Sequence, residues 1–173
     1  MSQKQNKINY IIHAALIAAA YAGLTFFSNI FGLAYGPIQL RISEVLTILP
    51  VFTPAAIPGL TIGCFIANIA SFNILDIIFG SFATLVAAIL TYLLKEIKFK
   101  KIPILAFAPP ILVNAFIIGL EIAIFFLPEG FSIYGFLISG LQVGIGQTIV
   151  CYGLGITFYL TVSKYNLLKK TNK

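Results

Sequence analysis

The residues of this sequence that can do chemistry are a few charged and amide side chains that interrupt long apolar stretches. They are Arg41, Glu44, Asn68, Asp76, Asn114, Glu121, Gln142 and Gln147. Carboxylates accept hydrogen bonds, guanidinium groups donate them, and amides do both. Such a set can hold a small polar solute through several directed hydrogen bonds. We therefore predict that these residues line a solute-binding site.

Glu121 gives the strongest single indication of binding. It lies in an apolar stretch with no nearby basic residue to neutralise it, and an ionisable group inside a membrane span costs roughly 2.5–3.5 kcal/mol on insertion scales. Asn114 lies seven residues earlier, which places both side chains on one helix face, two turns apart. A carboxylate there can accept two N–H donors from one edge of a heterocycle.

Most of these residues also have a structural interpretation. Arg41 and Glu44 can form an ion pair that closes a loop, and Asp76 can cap a helix. Gln142 and Gln147 can hydrogen-bond neighbouring helices. The sequence alone leaves these alternatives open.

A different class of function is a membrane-embedded enzyme that uses Asp76 and Glu121 as an acid pair. The sequence has no HExxH, GxSxG or GxxxxGKS/T motif, which would indicate a zinc protease, a serine hydrolase or a nucleotide site. Cys64 and Cys151 lack metal-binding spacing, which favours a packing role. A position of one of them in the wall of a cavity stays open. We predict a binding protein that is not an enzyme and has no cofactor or metal ion.

Composition assigns the chain to the membrane proteins. Hydrophobic residues make up 60% of the 173 residues and charged residues 9%, and the mean hydropathy is +1.02. Soluble domains are about a quarter charged, and a water-soluble fold of this size could not bury so much apolar surface. We predict an all-α integral membrane protein with one domain over residues 1–173.

Six apolar segments must position the polar residues. They cover residues 10–31, 42–52, 57–72, 75–94, 103–127 and 133–162. The second and third are short and are separated by Pro54 and Pro58, as in broken helices that line a cavity. We predict a bundle of six transmembrane helices with both termini in the cytoplasm.

The basic residues support this orientation. Six crossings with a cytoplasmic N-terminus place ten of the eleven Lys and Arg residues in the cytoplasm, as the positive-inside rule requires. Arg41 alone faces outside, beside a polar pocket that opens outward. Because the lysine clusters flank apolar segments, they indicate topology rather than nucleic-acid binding.

The first segment carries two rows of small side chains at helical spacing. One row is Ala14, Ala18 and Ala22, and the other is Ala15, Ala19 and Gly23. Small side chains four residues apart let another helix approach closely. The rows therefore predict a helix-packing face.

Two long stretches are distinctive, namely Arg41-Ile-Ser-Glu-Val-Leu-Thr-Ile-Leu-Pro50 and Thr53-Pro-Ala-Ala-Ile-Pro-Gly59. Shorter ones follow at residues 63–68, 76–85, 113–115, 119–121 and 146–155. Together they resemble the QueT family, the substrate-binding S components of energy-coupling factor transporters for queuosine precursors. The resemblance covers nearly the whole chain.

The resemblance implies an outward-facing site for a deazaguanine base such as prequeuosine. The aromatic side chains of Tyr35, Phe72 or Phe79 would stack on the ring of that base. An S component for another small vitamin-like heterocycle is the alternative that stays open.

The resemblance also implies partners. The rows of small residues would meet a membrane coupling subunit, with Ala14, Ala18 and Ala22 as the candidate contacts. That subunit would join two cytoplasmic ATPases and supply the ATP-driven motor that this sequence lacks. The whole complex would lie among the lipids of a bacterial plasma membrane.

Overall fold

Helices form the framework that carries the polar residues. The structure, a computed structural model, describes residues 3–34, 39–71, 73–128 and 130–165. In chain order the elements are α1 (Gln3–Ile30), a long 3₁₀ helix (Ile42–Val51), α2 (Ala56–Ile69), a first π segment (Asp76–Gly80), α3 (Ser81–Leu93), a short 3₁₀ turn (Ile104–Phe107), α4 (Ala108–Phe125), α5 (Ile133–Thr148), a second π segment (Ile149–Leu154) and α6 (Gly155–Tyr165). Within the described ranges there is no strand, only an isolated bridge between Phe99 and Ile102. The predicted all-α class is confirmed.

Four helical stretches are long and apolar enough to cross a membrane. They are Gln3–Ile30, Asp76–Leu93, Ile104–Phe125 and Ile133–Tyr165. Two shorter apolar helices, Ile42–Val51 and Ala56–Ile69, accompany them. Large apolar side chains face outward on these stretches, among them Ile30, which is 79% exposed, and Leu141, which is 65% exposed. This surface suits lipid rather than water, as expected of a multi-pass membrane protein.

Two glycines bring α2 into close contact with α1. A β-carbon added at Gly59 would lie 2.8 Å from the backbone oxygen of Ala14, and one at Gly63 would lie 2.8 Å from that of Ala18. Since Gly59 meets Ala14 and the later Gly63 meets the later Ala18, the two helices run in the same direction. The chain must therefore return between them.

The long 3₁₀ helix makes this return along α1. The Ile42 N–H donates to Ser28 Oγ at 2.9 Å, near the end of α1. The Tyr10 hydroxyl donates to the Pro54 carbonyl at 3.5 Å, near its beginning. A 3₁₀ helix rises about 2.0 Å per residue and an α-helix about 1.5 Å, so the tighter winding lets a short segment cover more length. The sequence predicted a segment too short to span straight, and it did not predict the 3₁₀ conformation.

The two π segments were not predicted either. The first begins at Asp76 and the second contains Cys151. π-bulges are rare and frequently occur at functional sites. Both of these segments lie next to the polar cavity described below.

Candidate functional site

A polar cavity lies inside the bundle, between α2, α3, α4, α5 and the long 3₁₀ helix. Its walls are Gln39, Arg41, Glu44, Cys64, Asn68, Asp76, Gly80, Thr84, Asn114, Ile118 and Gln147. The side chains crowd one another, and the free space of about 10 Å³ is enough for roughly one water molecule. Polar groups surrounded by apolar helices are costly unless they are hydrogen-bonded, so their partners define the site.

Asn68 links the two sides of the cavity. Its side chain is fully buried, and its Oδ1 accepts from Arg41 Nη1 at 3.0 Å. Its Nδ2 donates to the Asp76 carbonyl at 2.8 Å. Arg41 is anchored a second time, because its Nε donates to the Ala34 carbonyl at 2.9 Å. These bonds fix the guanidinium group and the start of the first π segment relative to α2.

The first π segment reaches Asn68 because residue 80 is glycine. A β-carbon at Gly80 would lie 2.4 Å from Asn68 Nδ2, a distance that no side chain tolerates. Gly80 thus allows the backbone after Asp76 to pass directly over the amide. This close approach brings Asp76 to the cavity.

Glu44 also lines the cavity and is 3% exposed. The Tyr21 hydroxyl donates to its Oε1, whereas its Oε2 has no hydrogen-bond partner among the described residues. In the second π segment, Cys151 Sγ donates to Gln147 Oε1 at 3.5 Å. One carboxylate oxygen of Glu44 is therefore available to accept a hydrogen bond from a solute.

On α4, Asn114 and Glu121 separate. Asn114 lines the cavity, and its Nδ2 donates to the Pro110 carbonyl at 2.8 Å. Glu121, two turns further on, lines an adjacent pocket of about 150 Å³ together with Phe79 and Phe125. Gln142 is half-buried and lines neither space.

Six of the eight predicted residues are thus brought together around one cavity. They are Arg41, Glu44, Asn68, Asp76, Asn114 and Gln147. Their role in binding stays a prediction, as does that of Glu121 and Gln142. Of the predicted stacking residues, Phe79 lies in the adjacent pocket, while Tyr35 and Phe72 lie outside the described residues.

Sequence reasoning missed several residues of the site. Tyr21 is fully buried, and a buried tyrosine hydroxyl needs a hydrogen-bond partner. A tyrosine within an alanine-rich stretch was the feature of the sequence that could have indicated this role. Cys64 is buried and lines the cavity, the alternative that the sequence left open for one of the two cysteines. Thr84 and Gln39 line the cavity beside it and were missed. Nothing in the sequence pattern distinguishes those last two residues.

The structural interpretations concerned Asp76 as a helix cap and Arg41 with Glu44 as an ion pair. Asp76 does not cap its helix, because Asn73 Oδ1 accepts from the Leu75 N–H at 3.0 Å and performs that role. Arg41, Glu44 and Asp76 all line the cavity. The interpretation of Arg41 and Glu44 as an ion pair stays a prediction.

The first row of small residues packs within the chain. Ala18 is 5% exposed and Ala22 is 6% exposed, and the Gly59 and Gly63 contacts cover this side of α1. The predicted contact of Ala14, Ala18 and Ala22 with a coupling subunit stays a prediction. The second row, with Ala15, Ala19 and Gly23, is exposed.

A sequence model of the QueT transporter family matches residues 11–164. The chain belongs to the QueT transporter family. The match includes the long 3₁₀ helix and every residue that lines the polar cavity. Because the family consists of transporters, the prediction that this chain is not an enzyme is confirmed, and the enzymatic alternative for Asp76 and Glu121 is wrong.

The comparison with curated proteins agrees with this assignment. The queuosine precursor transporter QueT of Lactococcus lactis subsp. cremoris (strain MG1363) is 40% identical over 98 residues. That match spans 57% of this chain and 57% of the relative, a little more than half of each. No solved structure matches the chain.

Proposed function

We propose that this chain is the substrate-binding S component of an energy-coupling factor transporter and takes up a queuosine precursor, a deazaguanine base such as prequeuosine. The observation that carries the proposal is the buried polar cavity between Arg41, Glu44 and Asn68 in a member of a transporter family. The name of the Lactococcus relative supports the substrate.

The cavity offers groups that complement a guanine-like edge. Glu44 Oε2 can accept an N–H donor, and charge-assisted hydrogen bonds of this kind are the strong ones. The guanidinium group of Arg41 can donate to a ring carbonyl, and the amide of Asn114 can do either. Since the free space is about 10 Å³, the base enters by separating these side chains and takes over part of their hydrogen bonding.

The fold supports six crossings. The long 3₁₀ helix runs back between the parallel helices α1 and α2, so this part of the chain makes three passes. Thr91 donates to the Ala106 carbonyl at one end of α3 and α4, and Phe79 meets Phe125 at the other, so these two helices are antiparallel. Continued alternation puts both termini and the basic 95–101 loop on one side, the cytoplasmic side of a bacterial plasma membrane.

The resemblance to the S components of energy-coupling factor transporters implies the partners. They would be two cytoplasmic ATPases that act through a membrane coupling subunit, and this sequence has no nucleotide-binding motif of its own. The exposed row of Ala15, Ala19 and Gly23 is the accessible small-residue face of α1, and a β-carbon at Gly23 would meet no atom within 4 Å. We assign the coupling contact to this row in preference to the covered row that contains Ala18.

Uptake of labelled prequeuosine tests the proposal. Cells that express the chain with a coupling subunit and both ATPases should accumulate the base, whereas cells that express the chain alone should bind it without accumulation. Accumulation by the chain alone would contradict the assignment as an S component. A lack of both binding and uptake, with binding of another vitamin-like heterocycle, would contradict the substrate.

A further inference from the structure

No N–H or hydroxyl donor among the described residues reaches the carboxyl group of Glu121. The residue is 1% exposed, and both Oε1 and Oε2 are buried without a donor among the described residues. A buried carboxyl group without a donor is costly, most of all when it is ionised, and such a group in a native protein requires an explanation. A positively charged group that arrives with a ligand would supply the missing donor.

Asp76 connects Glu121 to the polar cavity. The π segment that carries Asp76 packs against α4, where the rings of Phe79 and Phe125 meet one turn after Glu121. The Asp76 carboxyl is there the acidic neighbour of the Glu121 carboxyl, and Asp76 also lines the cavity beside Asn68. Two adjacent carboxyl groups repel each other when both are ionised, and a cation between them removes this repulsion. The pair therefore lies within reach of a substituent on a ring bound in the cavity.

The walls of the adjacent pocket also suit a cation. Phe79, Phe82 and Phe125 line it together with aliphatic side chains, and the ring centroids of Phe79 and Phe125 are 6.1 Å apart. Aromatic faces attract ammonium groups. The pocket has about 150 Å³ of free space, against about 10 Å³ in the polar cavity, so a short arm fits within it.

We propose that Asp76 and Glu121 form a subsite for a primary ammonium group carried on a short arm of the transported heterocycle. The inference rests on the proposed function, because the ring must lie in the polar cavity. An ammonium group has three donors, which allows one hydrogen bond to each carboxyl. A metal ion is a weaker fit, because no group of three or more His, Cys, Asp or Glu residues is found in the described ranges.

Two probes that differ only in the arm test this subsite, namely 7-aminomethyl-7-deazaguanine and 7-hydroxymethyl-7-deazaguanine. Their dissociation constants are measured by calorimetry on the full chain and on Glu121→Gln, Asp76→Asn and Glu96→Gln. Glu96 is exposed, which makes it a matched control. The wild type should bind the aminomethyl probe roughly 10- to 100-fold more tightly, as expected for a charge-assisted hydrogen bond.

Glu121→Gln should lose this discrimination by weakening the binding of the aminomethyl probe alone, and Glu96→Gln should keep it. Equal binding of both probes by the wild type would overturn the inference, and this comparison needs no variant to fold. A Glu121→Gln protein that weakens both probes by the same factor would also overturn it, since that result indicates a structural role. If neither probe binds the wild type, the proposed function fails together with the inference.

Discussion

At the scale of single residues, Glu44 is the group most directly poised for a solute. Its Oε2 faces the cavity region without a partner among the described residues, while Oε1 is held by Tyr21. Glu44→Gln should weaken the binding of prequeuosine by roughly 10- to 100-fold, because a charge-assisted hydrogen bond contributes about 1.5–3 kcal/mol. Calorimetry measures the change, with Glu96→Gln as the control. Unchanged affinity would remove Glu44 from the site.

The residue types of the site could be predicted, but not their partners. Charged and amide side chains in apolar stretches are conspicuous, and six of them do surround one cavity. The sequence could not show that Asn73 rather than Asp76 caps the helix, because two polar residues near one helix start compete for that role. It also placed Glu121 with Asn114, although the adjacent pocket separates them.

At the scale of elements, the contact between α1 and α2 depends on glycine. Gly63→Ala should destabilise the protein by about 1–3 kcal/mol, the usual cost of overpacking, because its β-carbon would lie 2.8 Å from the Ala18 oxygen and 2.8 Å from Tyr21 Cβ. Gly23→Ala on the exposed face of α1 is the matched control and should be neutral or stabilising by up to about 1 kcal/mol. Thermal unfolding in detergent measures both. Equal stabilities would contradict the packing described here.

The six apolar segments could be predicted because lipid-facing helices need long apolar runs. The conformation of the shorter ones could not, because hydropathy does not distinguish a 3₁₀ helix or a π segment from an α-helix. The long 3₁₀ helix depends on tertiary contacts, such as the bond from Thr25 Oγ1 to Ser43 Oγ at 2.7 Å. The π segment at Asp76–Gly80 depends on the close approach to Asn68, which no local pattern reveals.

At the scale of the whole molecule, four passes separate the N-terminus from the basic 95–101 loop in the proposed topology, so both lie in the cytoplasm and the connection between α4 and α5 lies outside. Phe131→Cys, which lies between α4 and α5, should react with a membrane-impermeant maleimide in intact cells. Lys98→Cys should react only after permeabilisation. The native cysteines Cys64 and Cys151 are 1% and 2% exposed and should stay unlabelled in the folded parent protein. If Lys98→Cys alone were labelled in intact cells, the chain would have the opposite orientation in the membrane, and the proposed topology would be wrong.

The central claim is that the buried polar cavity of this QueT family member binds a queuosine precursor. Titration of the purified, folded chain with prequeuosine tests it most directly. We predict saturable binding to one site, weakened in Glu44→Gln and retained in Glu96→Gln. A folded wild-type chain that gives no binding signal with prequeuosine would contradict the claim.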